Sequence, residues 1–240
     1  MASPARSPQD VRVDAMVNYL ISMARTVEVN TGRAMGALLD RGSPEAEQAA
    51  SQIFLLEPRI NEMEMVIDEH AVRLLREGRL ADGEIRQVVA TLKITNDLER
   101  MGDLAVGLAE RVVSLAGMAA VSEPQELKPM VTAVHTMVNK SLGALTFRNV
   151  VLANQVLESD DLVDRYRDLI FEGMMARMTE QPAQSASNLQ FVLISRYLER
   201  LADHATNIAE DIIFWVRGLD VRHGRARDAA ISGSVVTENL

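Results

Sequence analysis

The 240-residue sequence contains no cysteine. Disulfides and thiolate metal sites are therefore excluded, and the composition is compatible with a reducing cytoplasm. Aromatic residues make up only 4% of the chain, and the apolar residues are mainly Ala, Leu, Val, Ile and Met, a mixture that favours helices over sheets. Basic residues are outnumbered by acidic ones, 25 against 34. This balance argues against a nucleic-acid partner, because phosphate binding needs a basic face.

Long apolar runs are also lacking. The most apolar stretch, "VVSLAGMAAV" at 112–121, is about half as long as a membrane-spanning helix needs to be. The first ten residues, "MASPARSPQD", are polar and have no apolar core of the kind found in a signal peptide. These features predict a soluble protein.

The chain contains an internal repeat. Residues 98–110 read "LERMGDLAVGLAE" and residues 198–210 read "LERLADHATNIAE", with seven of thirteen positions identical. A spacing of 100 residues favours two units, each of ordinary domain size. The predicted fold is all-α, with two tandem three-helix bundles at 9–120 and 121–220 and flexible tails at 1–8 and 221–240.

Helical periodicity and the positions of Gly and Pro predict three helices in each unit. Ser43 and Pro44 offer an N-cap and a first-turn proline to the second helix, and Asp82 is the expected cap of the third. The predicted helices span about 9–40, 44–77, 83–119, 128–157, 159–179 and 188–218.

Apolar residues in the third helix recur in steps of four and three from Ile94 to Leu115, and the sixth helix repeats this pattern from Ile194 to Trp215. Such heptad-like spacing predicts one apolar stripe that packs against neighbouring helices at a shallow angle.

Pairs of acidic residues lie away from this stripe. Glu99 and Asp103 are one turn apart on the third helix, and Glu199 and Asp203 repeat the arrangement on the sixth. Like charges at this spacing repel each other and destabilise a helix by roughly 0.2–0.5 kcal/mol. Because both units keep this unfavourable arrangement, the pattern suggests that a cation binds there.

Further polar pairs occur on the second helix of each unit. Glu57 and Asn61 are four residues apart, with Glu64 beyond them, and Asp160 and Asp164 have the same spacing in the second unit. If the second and third helices pack antiparallel, as their short loop implies, each unit sets two pairs side by side. Hard or borderline cations bind carboxylate and amide oxygens of this kind.

Two alternatives need no such metal site on the surface. The acids could be solvated or could pair with Arg100 or Arg200, as in a metal-free helical scaffold. A carboxylate-bridged di-metal enzyme would instead use Glu-x-x-His on two helices, but no His here follows a Glu by three residues. His204 lies beside Asp203, has no counterpart in the first unit and is expected at the surface.

Four segments together closely resemble the PhoU family of bacterial phosphate-transport accessory proteins. They are "RINEMEMVIDEHAVRLL", "LKITNDLERMGD", "DDLVDRY" and "RYLERLADHATNIAEDIIFWVRG". The resemblance implies a six-helix cytoplasmic protein that is commonly a homodimer and is not an enzyme. It also implies a negative regulator of phosphate uptake and of the phosphate-starvation response. The implied partners are a phosphate-sensing histidine kinase and the ATPase of the phosphate ABC transporter, with the membrane reached only through partner proteins.

The acidic pairs of this family bind metal, so the resemblance also implies ligands for iron, zinc, magnesium or manganese. Two departures concern the first unit. Pro58 lies inside the first pair and is expected to kink the helix, and the neutral amide of Asn61 is expected to weaken metal binding there. The implied ligands are Glu57, Asn61, Glu99 and Asp103 in the first unit, and Asp160, Asp164, Glu199 and Asp203 in the second.

Overall fold

The computed structural model describes residues 8–222 and confirms the all-α prediction. Within that range the chain forms helices and one short 3-10 turn, with no strand. None of these helices is long and apolar enough to cross a membrane. The elements are α1 (Pro8–Leu39), α2 (Pro44–Glu77), α3 (Asp82–Ala116), α4 (Leu127–Phe147), α5 (Val150–Leu157), α6 (Asp160–Glu180), the 3-10 turn Pro182–Gln184, and α7 (Ser185–Arg217).

The elements form two units of three helical layers, as predicted. Helices α1, α2 and α3 pack against one another in the first unit, and α4, α5, α6 and α7 do so in the second. Only Glu158 and Ser159 separate α5 from α6, and both keep right-handed helical angles. Helices α5 and α6 together therefore correspond to α2. Counted in this way, the two units contain three helices each, six in all.

The prediction of one continuous helix over 128–157 is wrong. Helix α4 ends at Phe147, because Arg148 adopts a left-handed conformation with φ of 50°. Asn149 then caps α5, its Oδ1 accepting hydrogen bonds from the backbone N–H of Val151 at 2.9 Å and of Leu152 at 3.3 Å. The chain reverses here, and Leu152 packs beside Gly143 of α4.

Of the two N-caps predicted from the sequence, the one for α2 is present and the one for α3 is not. Ser43 Oγ accepts from the backbone N–H of Ala46 at 3.1 Å, which confirms it as the N-cap of α2. Asp82 is the first residue of α3 rather than its cap, and Glu84 Oε2 instead accepts from the Ala81 N–H at 2.7 Å. Helix α2 continues through Pro58 without a break.

The two units meet mainly along α3 and α7, which pack closely against each other. The predicted stripe on α3 is buried, apart from the partly exposed Leu115, and the stripe on α7 is buried from Ile194 to Trp215. Helices α3 and α7 run antiparallel, because Lys93 pairs with Asp211 while Asp97 pairs with His204. Buried residues of both units form one continuous hydrophobic core.

The predicted tails lie outside the described residues, except for Pro8, Val221 and Arg222. Pro8 is the first residue of α1. Val221 is buried and belongs to the core, and the Arg222 guanidinium pairs with Asp220 at 2.5 Å. The chain therefore stays packed for several residues beyond the end of α7.

Gly107 permits the close approach of α3 and α7. A Cβ at this position would lie 2.3 Å from Cε1 of Tyr197 on α7, well inside van der Waals contact. The tyrosine ring thus packs directly on the α3 backbone at the boundary between the units.

Gly107→Ala is expected to destabilise the protein by about 1–3 kcal/mol, because either the ring or a helix must shift to remove the overlap. Urea unfolding followed by circular dichroism measures this. Gly36→Ala is the control, since a Cβ there meets nothing within 4 Å, and it should leave stability unchanged or increase it by up to about 1 kcal/mol. Adding Gly107→Ala to Tyr197→Ala should cost little, whereas an equal cost with and without the ring would contradict this explanation.

Candidate metal site

The first acidic cluster consists of Glu57, Asn61, Glu99 and Asp103, and the structure brings it together between α2 and α3. Asn61 Nδ2 donates a hydrogen bond to Glu57 Oε1 at 2.6 Å. The pKa of Glu99 is raised by desolvation first, then by the charge of Asp103, and also by Glu57 on the facing helix. Glu57 and Asp103 line the same surface groove. Glu57 and Asn61 are therefore in contact on α2, and the charges of Glu57 and Asp103 act on Glu99.

The second acidic cluster consists of Asp160, Asp164, Glu199 and Asp203, between α6 and α7. Thr206 Oγ1 on α7 donates to Asp160 Oδ1 at 3.3 Å, which joins the two helices. The charges of Glu199, Asp160 and Asp164 all act on Asp203. The expected convergence of two acidic pairs thus occurs in the second unit as well.

Asp203 is the most strongly perturbed carboxylate of the two clusters. Desolvation and then the charges of Glu199, Asp160 and Asp164 raise its pKa to about 6, and His204 opposes them. Asp203 keeps contact with solvent, so its carboxylate is partly dehydrated rather than enclosed. A carboxylate with such a pKa marks a place where negative charge is concentrated beyond what the side chains themselves neutralise.

Arginines contact both clusters. Arg100 Nε lies 3.4 Å from Glu99 Oε2 in the first. Arg167 Nη1 lies 2.5 Å from Glu199 Oε1 and 3.1 Å from Asp164 Oδ1 in the second. The salt bridges that the metal-free alternative requires are therefore present, although the partner in the second unit is Arg167 and not an arginine considered from the sequence.

The donor atoms of both clusters suit a hard cation. All of them are carboxylate or amide oxygens, the ligands that magnesium, manganese and iron accept and that zinc tolerates. Asn61 Oδ1 is buried and accepts no hydrogen bond from the described residues, so it is an acceptor available to a cation. Across residues 8–222, however, no three His, Asp or Glu side chains already form a set that could hold a metal ion. Binding would therefore require side chains to turn away from their present hydrogen bonds and ion pairs.

A groove of about 360 Å³ lies beside the first cluster at the boundary between the units. Glu57, Arg100 and Asp103 line it from the first unit, and Tyr197 and Arg200 from the second. The groove places the carboxylates of one unit next to a cationic side chain of the other.

Two partly buried pairs of polar side chains join α3 to α7 and were not predicted from the sequence. Asp97 is 7% exposed, and its Oδ1 lies 2.7 Å from His204 Nδ1 and 3.2 Å from Asn207 Nδ2. Lys93 Nζ donates to Asp211 Oδ1 at 2.8 Å. Desolvation raises the pKa of Asp211, and the hydrogen bond from Lys93 opposes it. His204 is therefore partly buried, which corrects the expectation of a surface residue.

A signal for these pairs existed in the helical spacing. Asp97 lies three residues after Ile94 and four before Met101, which places it within the buried sector of α3. A charged residue in such a sector is expected to meet a partner on the facing helix.

The duplicated bundles and their facing carboxylates define a class of all-helical two-repeat proteins with acidic surfaces. The sequence model of the PhoU domain matches residues 20–112 and 127–212. A protein of Pseudomonas aeruginosa named phosphate-specific transport system accessory protein PhoU homolog is 34% identical over 216 residues, covering 90% of this chain and 86% of its own. A protein with the same name from Clostridium acetobutylicum is 31% identical, covering 87% of this chain and 94% of its own.

Solved structures have the same fold. The crystal structure of PhoU from Pseudomonas aeruginosa superposes with a TM-score of 0.82 at 31% identity, covering 88% of this chain and 99% of that one. PhoU from Streptococcus pneumoniae superposes with a TM-score of 0.78 at 23% identity, over 89% and 99% of the two chains. This chain belongs to the PhoU family.

Asp203→Asn is expected to stabilise the metal-free protein at pH 7.5 and to have no effect near pH 4. The pKa of Asp203 rises on folding, so the folded state binds the proton more tightly, and stability falls as pH increases from about 4 through about 6. The gain is expected to reach only about 0.5–1 kcal/mol, because solvent screens this partly exposed group.

Urea unfolding of the chelator-treated protein at both pH values tests this expectation. Glu172→Gln, at an exposed position beyond the first turns of α6, is the matched control and should change the free energy of unfolding by less than about 0.5 kcal/mol at both pH values. A gain from Asp203→Asn that is the same at pH 4 and pH 7.5 would contradict the assigned cause.

Proposed function

We propose that this protein is a negative regulator of phosphate uptake and of the phosphate-starvation response. It acts in a phosphate transport system through contacts with the phosphate ABC transporter ATPase and with a phosphate-sensing histidine kinase. Membership of the PhoU family and the names of its relatives as accessory proteins support the link to phosphate transport. The proposal places the protein in the cytoplasm as a homodimer, in contact with the membrane only through these partners.

The observation that carries the proposal is the pair of acidic clusters on rigid helices. In each unit, carboxylates from two packed helices share one face, and several remain accessible, with the Asp103 side chain 45% exposed. Side chains held by packed helices keep their relative positions when a partner approaches. Such a face offers a defined electrostatic surface to another protein.

The eight predicted residues would hold metal ions on these faces. A bound divalent cation supplies positive charge that offsets the repulsion between the carboxylates. The carboxylates of Glu99 and Asp203, whose pKa values are raised in its absence, provide the negative charge that attracts it. A cluster with a bound cation has less negative charge than the same cluster without one. Metal binding would therefore change how strongly the cluster attracts or repels a partner protein.

The exposure of these carboxylates disfavours the alternative of a di-metal enzyme. Such enzymes project their carboxylates and histidines into the bundle core, whereas Asp103 and Asp203 are exposed and the core between the helices is apolar. The nearest histidine, His204, uses Nδ1 to contact Asp97. We therefore propose that the protein is not an enzyme.

Deletion of the gene in its own organism, with alkaline phosphatase assayed in phosphate-rich medium, tests the regulatory role. Loss of a negative regulator should raise the activity several-fold, and the wild-type gene should restore the low level. A deletion strain that keeps alkaline phosphatase low would count against the proposal.

Complementation of the deletion strain with variants tests whether repression needs the acidic residues or only the helical scaffold. The double variant Glu199→Gln and Asp203→Asn should restore repression only partly, because it removes two charges while the buried core is unchanged. Glu172→Gln, at an exposed position on α6, should restore it fully. Full repression by the double variant would favour the metal-free scaffold.

A further inference from the structure

At one pair of equivalent positions, the two acidic clusters carry side chains of opposite charge. Asp160 and Asp164 of α6 correspond to Glu57 and Asn61 of α2, and the same offset aligns Arg167 with Glu64. Residues spaced by four and then three lie on one face of a helix. Both Glu64 and Arg167 therefore belong to the face that looks towards the third helix of their unit.

Arg167 reaches into the second acidic cluster. Its Nη1 contacts Glu199 Oε1 on α7 at 2.5 Å and Asp164 Oδ1 at 3.1 Å, and its Nη2 contacts Asp168 Oδ1 at 2.8 Å. The side chains of Arg167 and Glu199 are only 22% and 12% exposed, so solvent screens this contact less than a surface ion pair. The guanidinium thus joins carboxylates of α6 and α7.

The first cluster has a carboxylate at the same position. Glu64 lies three residues after Asn61 on α2 and is partly buried, and the charges of Glu99 and Asp103 act on it from α3. Arg100 contacts this cluster from the same helix as Glu99, at 3.4 Å and with its side chain 53% exposed. On α2, Asn61 Oδ1 is buried and has no hydrogen bond from the described residues.

The charge of the two clusters therefore differs more because of Glu64 and Arg167 than because of Asn61 and Asp164. Across the five equivalent positions, the first unit carries four acids, one amide and no base. The second carries four acids and one arginine. An arginine already in place must be displaced before a cation can use the same oxygens, and displacing it from partly buried carboxylates opposes binding.

We propose that Glu64 is a fifth oxygen donor of the first cluster and that Arg167 is a built-in counter-ion of the second. A divalent cation then binds first and more tightly in the first unit, and it binds in the second unit only in exchange for the Arg167 ion pairs. The order is the reverse of the one expected from Asn61 alone. The inference rests on the proposed metal binding and assigns its order within the chain.

Titration of the full-length, metal-free protein with Mn²⁺, by calorimetry and by the electron paramagnetic resonance of free Mn²⁺, tests the order. The wild type should bind one Mn²⁺ at least about tenfold more tightly than a second. Arg167→Gln should tighten the weaker site by about tenfold or more, and Glu64→Gln should weaken the tighter site by a similar factor. Asp103→Asn should weaken Mn²⁺ binding at the tighter site. Asp203→Asn should weaken binding at the other site, the one that Arg167→Gln strengthens.

Arg165→Gln is the matched control, because Arg165 is exposed on the same helix two residues earlier, and it should leave both affinities unchanged. If Arg167→Gln does not fold, Glu64→Arg provides the complementary test and should weaken the tighter site. Two equal affinities in the wild type that none of these substitutions alters would overturn the inference while leaving metal binding intact. Absence of Mn²⁺ binding in every variant would overturn the proposed metal binding itself.

Discussion

The antiparallel packing of α3 on α7 is the constraint on which the rest of the structure depends. It joins the two units into one core, and it needs small residues at the contact, such as Gly107 under the Tyr197 ring. Each of these two helices buries its apolar stripe on one side and carries an acidic pair on another. Fixing their register therefore fixes where both acidic pairs lie relative to each other and to α2 and α6.

Charged groups inside this interface add specificity to the apolar contact. Asp97 and Asp211 are 7% and 6% exposed, and each has a cationic or hydrogen-bonding partner on the opposite helix. A slip of either helix by one turn would leave buried carboxylates without partners, which costs several kcal/mol for each charge. The apolar stripe alone tolerates such slips better, because its heptad-like pattern repeats along the helix.

Much of the fold could be predicted from the sequence, because helix periodicity, Gly and Pro positions and the internal repeat are local signals. The reversal at Arg148 and Asn149 was missed, since the apolar pattern continues across it and only the Asn cap marks the break. The acidic clusters were predicted because each pair lies within one helix. Spacing within α3 marks Asp97 as buried but does not identify His204 as its partner, and the contact of Arg167 with Glu199 likewise depends on the facing helix.

A duplicated fold places two acidic clusters at corresponding positions, although Glu57 lies within α2 whereas Asp160 is the first residue of α6. Where the clusters differ, a change of charge has a larger effect than a change of shape, because the carboxylates interact in a partly desolvated setting. In the first unit, desolvation and neighbouring carboxylates raise the pKa values of Glu64 and Glu99. In the second unit Arg167 compensates part of the negative charge, yet Asp203 still has a pKa raised to about 6. Both units thus keep carboxylates close together in a partly desolvated setting, which is the arrangement that the proposed cation binding needs.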